Sequence, residues 1–189
     1  MIQEVINKLA SPSQLLRRSE VLTRPCPVPR ENGIYAWYFR TIPNNIPTDN
    51  CYDIGGLKLL YVGIAPAFEG SSATLRSRIK MHLCGNASGS TLRLTLGCLL
   101  SQHLGLKLQP TGPTARLTYA GGEDVLSDWL QQNAFVCWVP YGQPWEIESG
   151  IIRSLSLPLN LQHNELHPFY RQLSVIRHNC REEAKQLPK

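Results

Sequence analysis

Gly33-Ile34-Tyr35 and Tyr61-Val62-Gly63 are the two tripeptides that decide the fold of this chain. Each lies in an apolar run rich in β-branched and aromatic residues, which predicts β-strands over residues 33–39 and 59–64. The two tyrosines are 26 positions apart (61 − 35), and residues 41–56 between them are rich in Pro, Asn, Asp and Gly, which is typical of a loop. We therefore predict a β-hairpin that places the two phenolic hydroxyls beside each other.

Helices are predicted on both sides of this hairpin by apolar residues at helical spacing and by capping residues. They cover residues 2–9, 74–83, 91–104, 123–132, 144–156 and 169–186. A third strand is predicted at residues 135–139, and a candidate edge strand at 115–119. Because two strands come from a hairpin and the third returns to them, we predict an α/β (α+β) fold with a small mixed or antiparallel three-stranded sheet flanked by helices.

The domain organisation follows from length and composition. A chain of 189 residues fits one domain, and its 42% hydrophobic and 17% charged residues argue against a disordered chain. We expect an N-terminal helical arm and extended lead-in over residues 1–32 and a core over residues 33–160. The core would carry an insertion at about 84–133, and residues 161–189 would form a helical tail packed on it.

Charge and cysteine content narrow the classes of partner and site. The net charge of +5 fits a polyanionic partner without identifying one. The six cysteines form no Cys-x-x-Cys pair, and His163, His167 and His178 lack a metal-ligand spacing with any of them, which argues against a zinc or dithiol redox site. No apolar run approaches the length of a membrane span. We expect a cytoplasmic protein with free thiols and no membrane partner.

Four further polar side chains occur where they can join the two tyrosines in one site. Arg78 and His82 are four residues apart on a predicted helix and therefore share one face. Glu148 lies on the predicted helix over residues 144–156, on a face that borders the buried one. Asn160 follows just beyond the end of that helix.

Two of these residues have competitors nearby. Arg76 is two positions from Arg78 and points to another face, so only Arg78 forms the i, i+4 pair with His82. Glu146 has a polar helical face and is interpreted as a helix acid of the first turn, so Glu148 is preferred.

Taken in chain order, these six positions resemble the GIY-YIG nuclease family. The first tripeptide matches the first half of the family name, and the second matches its second half with an apolar substitution. Arg78 and His82 match the family helix that bears an arginine and, four residues on, a His or Tyr. Glu148 and Asn160 match its metal-binding glutamate and trailing asparagine. The matched elements run from residue 33 to residue 160, and residues 85–93 also look like compact stand-alone bacterial members.

The resemblance implies a metal-dependent endonuclease that hydrolyses DNA phosphodiester bonds with Mg²⁺ or Mn²⁺. Glu148 would hold the metal ion, since Mg²⁺ takes one or two carboxylates and keeps several waters. Arg78 would contact the scissile phosphate, to which a guanidinium can donate two hydrogen bonds.

The remaining residues would act on the attacking water. Tyr35 would position or deprotonate it, and both roles stay open because a free phenol has a pKa of about 10. Tyr61 and His82 are the candidate helpers of Tyr35. Asn160 would orient either the metal shell or the tyrosine network.

The sequence leaves other interpretations open. A non-catalytic nucleic-acid-binding or protein-interaction module could keep this fold, although none of the six positions is lost. RNA or a modified nucleotide could replace DNA, and a homodimer would fit double-strand cutting without being required. We expect contacts to DNA from residues 41–56 and 84–133 and from a basic N-terminal arm, whose arginines are Arg17, Arg18, Arg24 and Arg30.

Overall fold

The computed structural model describes residues 2–43 and 45–187. The helices are α1 (Ile2–Ala10), α2 (Arg18–Val21), α3 (Leu75–Cys84), α4 (Thr91–Leu99), α5 (Ser101–Leu104), α6 (Glu123–Asn133), α7 (Pro144–Ser154) and α8 (Tyr170–Lys185). The strands are β1 (Gly33–Phe39), β2 (Asp53–Ile54), β3 (Leu57–Ala65), β4 (Gln109–Thr111), β5 (Arg116–Thr118) and β6 (Ala134–Pro140). Within these residues, no helix has both the length and the apolar character needed to cross a bilayer.

The main sheet has the order β2-β3-β1-β6, and all of its neighbouring strands are antiparallel. The predicted hairpin is confirmed: Tyr35 pairs with Gly63, and Trp37 pairs with Tyr61. β1 is an inner strand and is buried along its whole length. The predicted fold class is therefore confirmed, with the two-residue strand β2 added inside the predicted loop.

Two apolar layers cover the two faces of the sheet. Because side chains alternate along a strand, Tyr35 and Trp37 enter one layer while Ile34 and Tyr38 enter the other. The first layer contains buried residues of α3, α4, α6 and α8, and the second contains those of α1 and α7. Of the candidate residues in the first layer, Tyr35 meets His82 of α3 and Tyr61 meets Thr91 of α4.

Several predicted boundaries were wrong. The helix predicted over residues 91–104 is divided at Leu100 into α4 and α5, where the Ser101 hydroxyl donates to the Cys98 carbonyl and competes with the helical ladder. The helix predicted over residues 144–156 ends at Ser154. The strand predicted at 115–119 pairs with β4 in a separate two-stranded sheet and does not edge the main one.

A buried ion pair joins the helices of the first layer. The Arg93 side chain has 0% exposure, and its guanidinium donates to a Glu123 carboxylate oxygen at 2.7 and 3.0 Å. It also donates to the carbonyl of His82 and to the hydroxyl of Ser127. The other carboxylate oxygen of Glu123 accepts hydrogen bonds from the backbone N–H groups of Ala87 and Tyr119. These contacts tie α3, α4 and α6 together.

Replacing Glu123 with alanine is expected to destabilise the protein by ~3–5 kcal/mol, because it leaves the Arg93 guanidinium buried without its counter-charge. The free energy of unfolding in urea measures this loss. Asp124→Ala is the matched control, since Asp124 lies in the same first turn of α6 but is exposed. Equal losses in the two variants would attribute the effect to the helix end and not to the ion pair.

Candidate active site

Tyr35 projects from β1 toward α3. Its hydroxyl lies 2.7 Å from Nε2 of His82, and the side chain is 1% exposed. The facing position on β3 is Gly63, where an added Cβ would lie 2.5 Å from the Tyr35 hydroxyl. The second tripeptide therefore ends in glycine because the Tyr35 phenol occupies the space of a side chain there.

Tyr61 lies on β3, on the same face of the sheet. Its hydroxyl is 3.2 Å from Oγ1 of Thr91, the first residue of α4. The rings of Tyr35 and Tyr61 both contact the His82 ring, at centroid distances of 5.3 and 6.1 Å. The hairpin thus brings both phenols around His82, and each hydroxyl has its own hydrogen-bond partner.

His82 is fully buried between a phenol and a hydroxyl. Its Nε2 faces Tyr35, and its Nδ1 lies 2.7 Å from Oγ of Ser90. Burial, together with the positive charges of Arg78 and Arg93, lowers the pKa of His82 to about 3. The imidazole is therefore neutral at pH 7, with one ring nitrogen donating and the other accepting.

Arg78 is the half-buried arginine of α3 at this site. Its Nη1 donates to the carbonyl of Gly89 at 3.3 Å, and its positive charge opposes the burial that raises the pKa of Tyr35. Arg76 is used elsewhere, because its guanidinium donates to the carbonyls of Val28 and Cys26 in the extended lead-in. Of the two arginines considered, only Arg78 lies beside the tyrosines.

Glu148 reaches the same group of residues from α7. Its negative charge helps to raise the pKa values of both Tyr35 and Tyr61, so its carboxylate lies within electrostatic reach of the two phenols. The Glu148 side chain is 18% exposed, whereas Glu146 is exposed. Burial raises the pKa of Glu148, and no described residue donates a hydrogen bond to its carboxylate.

His163 is the functional candidate that sequence reasoning missed. Its Nε2 lies 4.0 Å from a Glu148 carboxylate oxygen, and its backbone is left-handed, with φ of 62°. In the sequence, His163 has no metal-ligand spacing with a cysteine and therefore does not stand out. Its position depends on the path of the loop after Asn160, which residue spacing does not reveal.

The chemistry of these donors fits a divalent metal ion. Glu148 is a carboxylate with no lysine or arginine partner among the described residues, so a cation would supply the charge that the protein leaves out. Within the same residues, no group of three or more His, Cys, Asp or Glu side chains is placed to hold a metal. A site built on one carboxylate suits Mg²⁺ or Mn²⁺, which keep several water ligands.

Asn160 is buried and engaged with β3. Its side-chain oxygen accepts from the Val62 N–H at 3.0 Å, and its side-chain nitrogen donates to the Val62 carbonyl at 2.8 Å. Asn164 supports it by donating to the Asn160 carbonyl. Because both ends of the amide are occupied, this arrangement favours a role in positioning Tyr61 and Gly63 on β3.

A cavity of about 440 Å³ lies away from these residues, between the end of α1 and β6. The described residues that line it include Ser11, Cys137 and Trp138. Lys8 is the one side chain among them that is charged at neutral pH. The cavity therefore has no carboxylate or imidazole with which to hold a metal or transfer a proton.

Comparison with known families agrees with the family resemblance of the sequence. The model of the GIY-YIG catalytic domain matches residues 33–182. This chain belongs to the GIY-YIG family. The GIY-YIG match includes both tyrosine strands, α3, α7 and nearly all of α8. A search of curated proteins and a search of solved structures found no match.

Gly63→Ala is expected to lower the free energy of unfolding by ~1–3 kcal/mol, because the new Cβ would overlap the Tyr35 phenol. Chemical denaturation measures the change. Gly142→Ala is the control, since an added Cβ there meets nothing within 4 Å. If Gly63→Ala were as stable as Gly142→Ala, the overlap between the new Cβ and the Tyr35 phenol would carry no energetic cost, and this explanation of the glycine would be wrong.

The free energy of unfolding of the wild-type protein is expected to decrease as the pH is lowered, because of His82. The unfolded chain binds a proton at His82 near pH 6.5 and the folded protein only near pH 3, so unfolding takes up a proton between these values. At pH 5.0 this costs the folded state ~2 kcal/mol relative to pH 7.5. Urea denaturation at both pH values should show a smaller pH dependence in His82→Asn. The exposed His103 provides the control, His103→Asn, which should keep the wild-type dependence.

Proposed function

We propose that this protein is a metal-dependent endonuclease that hydrolyses DNA phosphodiester bonds. The observation that carries the proposal is the placement of Glu148, a partly buried carboxylate without a lysine or arginine partner among the described residues, within electrostatic reach of Tyr35 and Tyr61. Membership of a family of catalytic domains supports it. Phosphodiester hydrolysis needs an activated water, a positive group on the phosphate and relief of charge on the leaving oxygen, and the phenols, guanidinium and carboxylate at this site could meet these needs.

Arg78 would bind the scissile phosphate. Its hydrogen bond to the Gly89 carbonyl uses only one of the five N–H donors of the guanidinium. A planar guanidinium can donate two parallel hydrogen bonds to a phosphate and stabilise the charge that develops in the transition state.

Tyr35 would position the attacking water. Burial raises its pKa well above that of a free phenol, so the hydroxyl is protonated at neutral pH in the free protein. Its hydrogen bond to neutral His82 holds the phenolic oxygen in one place. The geometry therefore favours a positioning role, and a role as general base would need a bound cation to lower the pKa of Tyr35.

Glu148 would hold Mg²⁺ or Mn²⁺, and His163 lies beside it as a second potential donor. When bound, the metal would act as a Lewis acid that relieves charge on the leaving oxygen. Asn160 would keep Tyr61 and Gly63 at their places on β3 through its two hydrogen bonds to Val62.

Two of the four arginines of the N-terminal arm already make contacts within the protein. The Arg17 guanidinium lies over the Phe135 ring, 5.1 Å from its centroid, and Arg18 donates to the Leu83 carbonyl. Arg17, Arg24 and Arg30 are all exposed, and Arg24 and Arg30 are the better candidates for phosphate contacts because Arg17 lies on the Phe135 ring.

The proposed location is the cytoplasm. All six cysteines are free thiols, which fits a reducing compartment. A homodimer would suit the cutting of both strands of a duplex.

Glu148→Gln is expected to reduce DNA cleavage by ~10³-fold or more, because it removes the metal ligand and with it several kcal/mol of transition-state stabilisation. Initial cleavage rates measure this on duplex, single-stranded, nicked and branched DNA with Mg²⁺ and with Mn²⁺. Calorimetric titration with Mn²⁺ should show metal binding in the wild type and its loss in the variant.

Glu146→Gln is the matched control, since Glu146 lies two residues away on α7 and is exposed. It should cleave DNA and bind Mn²⁺ like the wild type. If the wild type and Glu148→Gln showed the same rates on every substrate, the nuclease proposal would be wrong. Salt-sensitive DNA binding without any metal dependence would instead identify a non-catalytic binding module.

A further inference from the structure

Two arginines among the described residues are buried, and they differ in whether they have polar partners. Arg93 has 0% exposure and Arg177 has 9% exposure. Arg93 is balanced by Glu123 and donates hydrogen bonds from all three guanidinium nitrogens. Arg177 has no hydrogen bond and no ion pair with any described residue, and its Nε is fully enclosed without a partner.

No carboxylate of a described residue forms an ion pair with Arg177. The strongest electrostatic contacts of its guanidinium are with Arg181, Cys98, Tyr61 and Tyr119. Burial and the positive charge of Arg181 lower the pKa of Arg177, but an arginine side chain remains protonated in proteins. The described part of the chain therefore holds a positive charge here without an ion-pair or hydrogen-bond partner.

Such an arrangement is unfavourable for the free protein. A buried charge without a partner costs stability, and a hydrophobic side chain of similar volume in its place is often neutral or stabilising. Unpaired polar groups in protein interiors therefore call for an explanation, and a ligand of opposite charge is one.

The position of Arg177 indicates which ligand could supply that charge. Arg177 lies on α8, which packs against α4, and its charge acts on the Tyr61 phenol. Arg78 acts on the same phenol from α3. Two guanidinium groups on different helices thus lie within electrostatic reach of Tyr61.

A second unpaired group lies on α4. Oγ1 of Thr95 is buried without a hydrogen-bond partner. Thr95 is one turn beyond Thr91, whose hydroxyl meets Tyr61, so both threonines lie on one face of α4. A hydroxyl and a guanidinium N–H can both donate, and an anion can accept from both.

We propose that Arg177 binds a phosphate of the nucleic acid, neighbouring the phosphate that Arg78 contacts. α8 would then form part of the substrate-binding surface, on the Tyr61 side of the site. The identity of the anion as a nucleic-acid phosphate rests on the proposed nuclease function, whereas the binding of a phosphate group by Arg177 can be tested separately.

The first test measures DNA binding in the full-length Glu148→Gln protein, so that no substrate is cleaved. Fluorescence anisotropy with a labelled duplex over a series of salt concentrations compares Arg177→Met with Arg171→Met, an exposed arginine on the same helix. Arg177→Met should weaken binding about tenfold and reduce the salt slope by about one. Arg171→Met should have a clearly smaller effect. Unchanged binding in Arg177→Met, or equal losses in both variants, would overturn the proposal.

The second test uses inorganic phosphate and otherwise wild-type protein. At constant ionic strength, replacing chloride with phosphate should raise the melting temperature of the wild type more than that of Arg177→Met, because a ligand stabilises the state that binds it. Without phosphate, Arg177→Met should be at least as stable as the wild type. A purely structural arginine would give a less stable variant that gains as much from phosphate as the wild type does, which would contradict the proposal.

The two tests separate this proposal from the nuclease proposal. If the protein cut no nucleic acid but phosphate stabilised only the wild type, the nuclease function would fail and Arg177 would remain an anion-binding residue. Arg177→Lys provides a further variant for the DNA-binding measurement. Lysine keeps the positive charge but not the planar guanidinium, so Arg177→Lys is expected to bind DNA more weakly than the wild type. An unchanged affinity of Arg177→Lys for DNA would count against the proposal.

Discussion

The hydrogen bond between the Tyr35 hydroxyl and Nε2 of His82 is the contact on which the rest of the site depends. It joins the inner strand of the sheet to α3, and Nδ1 of His82 continues the connection to Ser90 at the start of α4. Ser90 accepts from the Arg93 N–H, and the Arg93 side chain reaches α6 through Glu123. A continuous polar path thus runs through the first layer, and its members fix one another because they are buried and paired.

Charge is distributed unevenly around this path. Within the path, Arg93 and Glu123 neutralise each other in an ion pair, and burial keeps His82 neutral. Around Tyr61 the opposite holds, since Glu148 has no lysine or arginine partner among the described residues and Nε of Arg177 has no hydrogen-bond partner there. Polar or charged groups without a partner are expected at functional sites, where a bound ligand supplies the missing partner. The contrast separates the scaffold of the site from the groups available to a substrate.

Much of this could be predicted from the sequence, and the reason is local in each case. Alternating aromatic and apolar residues in a run predict the inner strand, and the i, i+4 spacing of Arg78 and His82 places both on α3. His163 and Arg177 could not be found in this way. Each is distant in the chain from the tyrosines and meets the site only through the path of a loop or the packing of a helix. Spacing rules do not extend across such distances.

The sequence by itself determined the antiparallel hairpin, the family to which the chain belongs and the order of its candidate groups. It did so because strand alternation, helical spacing and short motifs are properties of neighbouring residues. Only the tertiary structure decided that Gly63 makes room for the Tyr35 ring and that His82 is neutral. It also decided that Arg93 forms an ion pair whereas Arg177 has no hydrogen-bond partner among the described residues. Burial and charge compensation are set by which elements pack together, and the same residue type can therefore serve the scaffold at one position and remain available to a ligand at another.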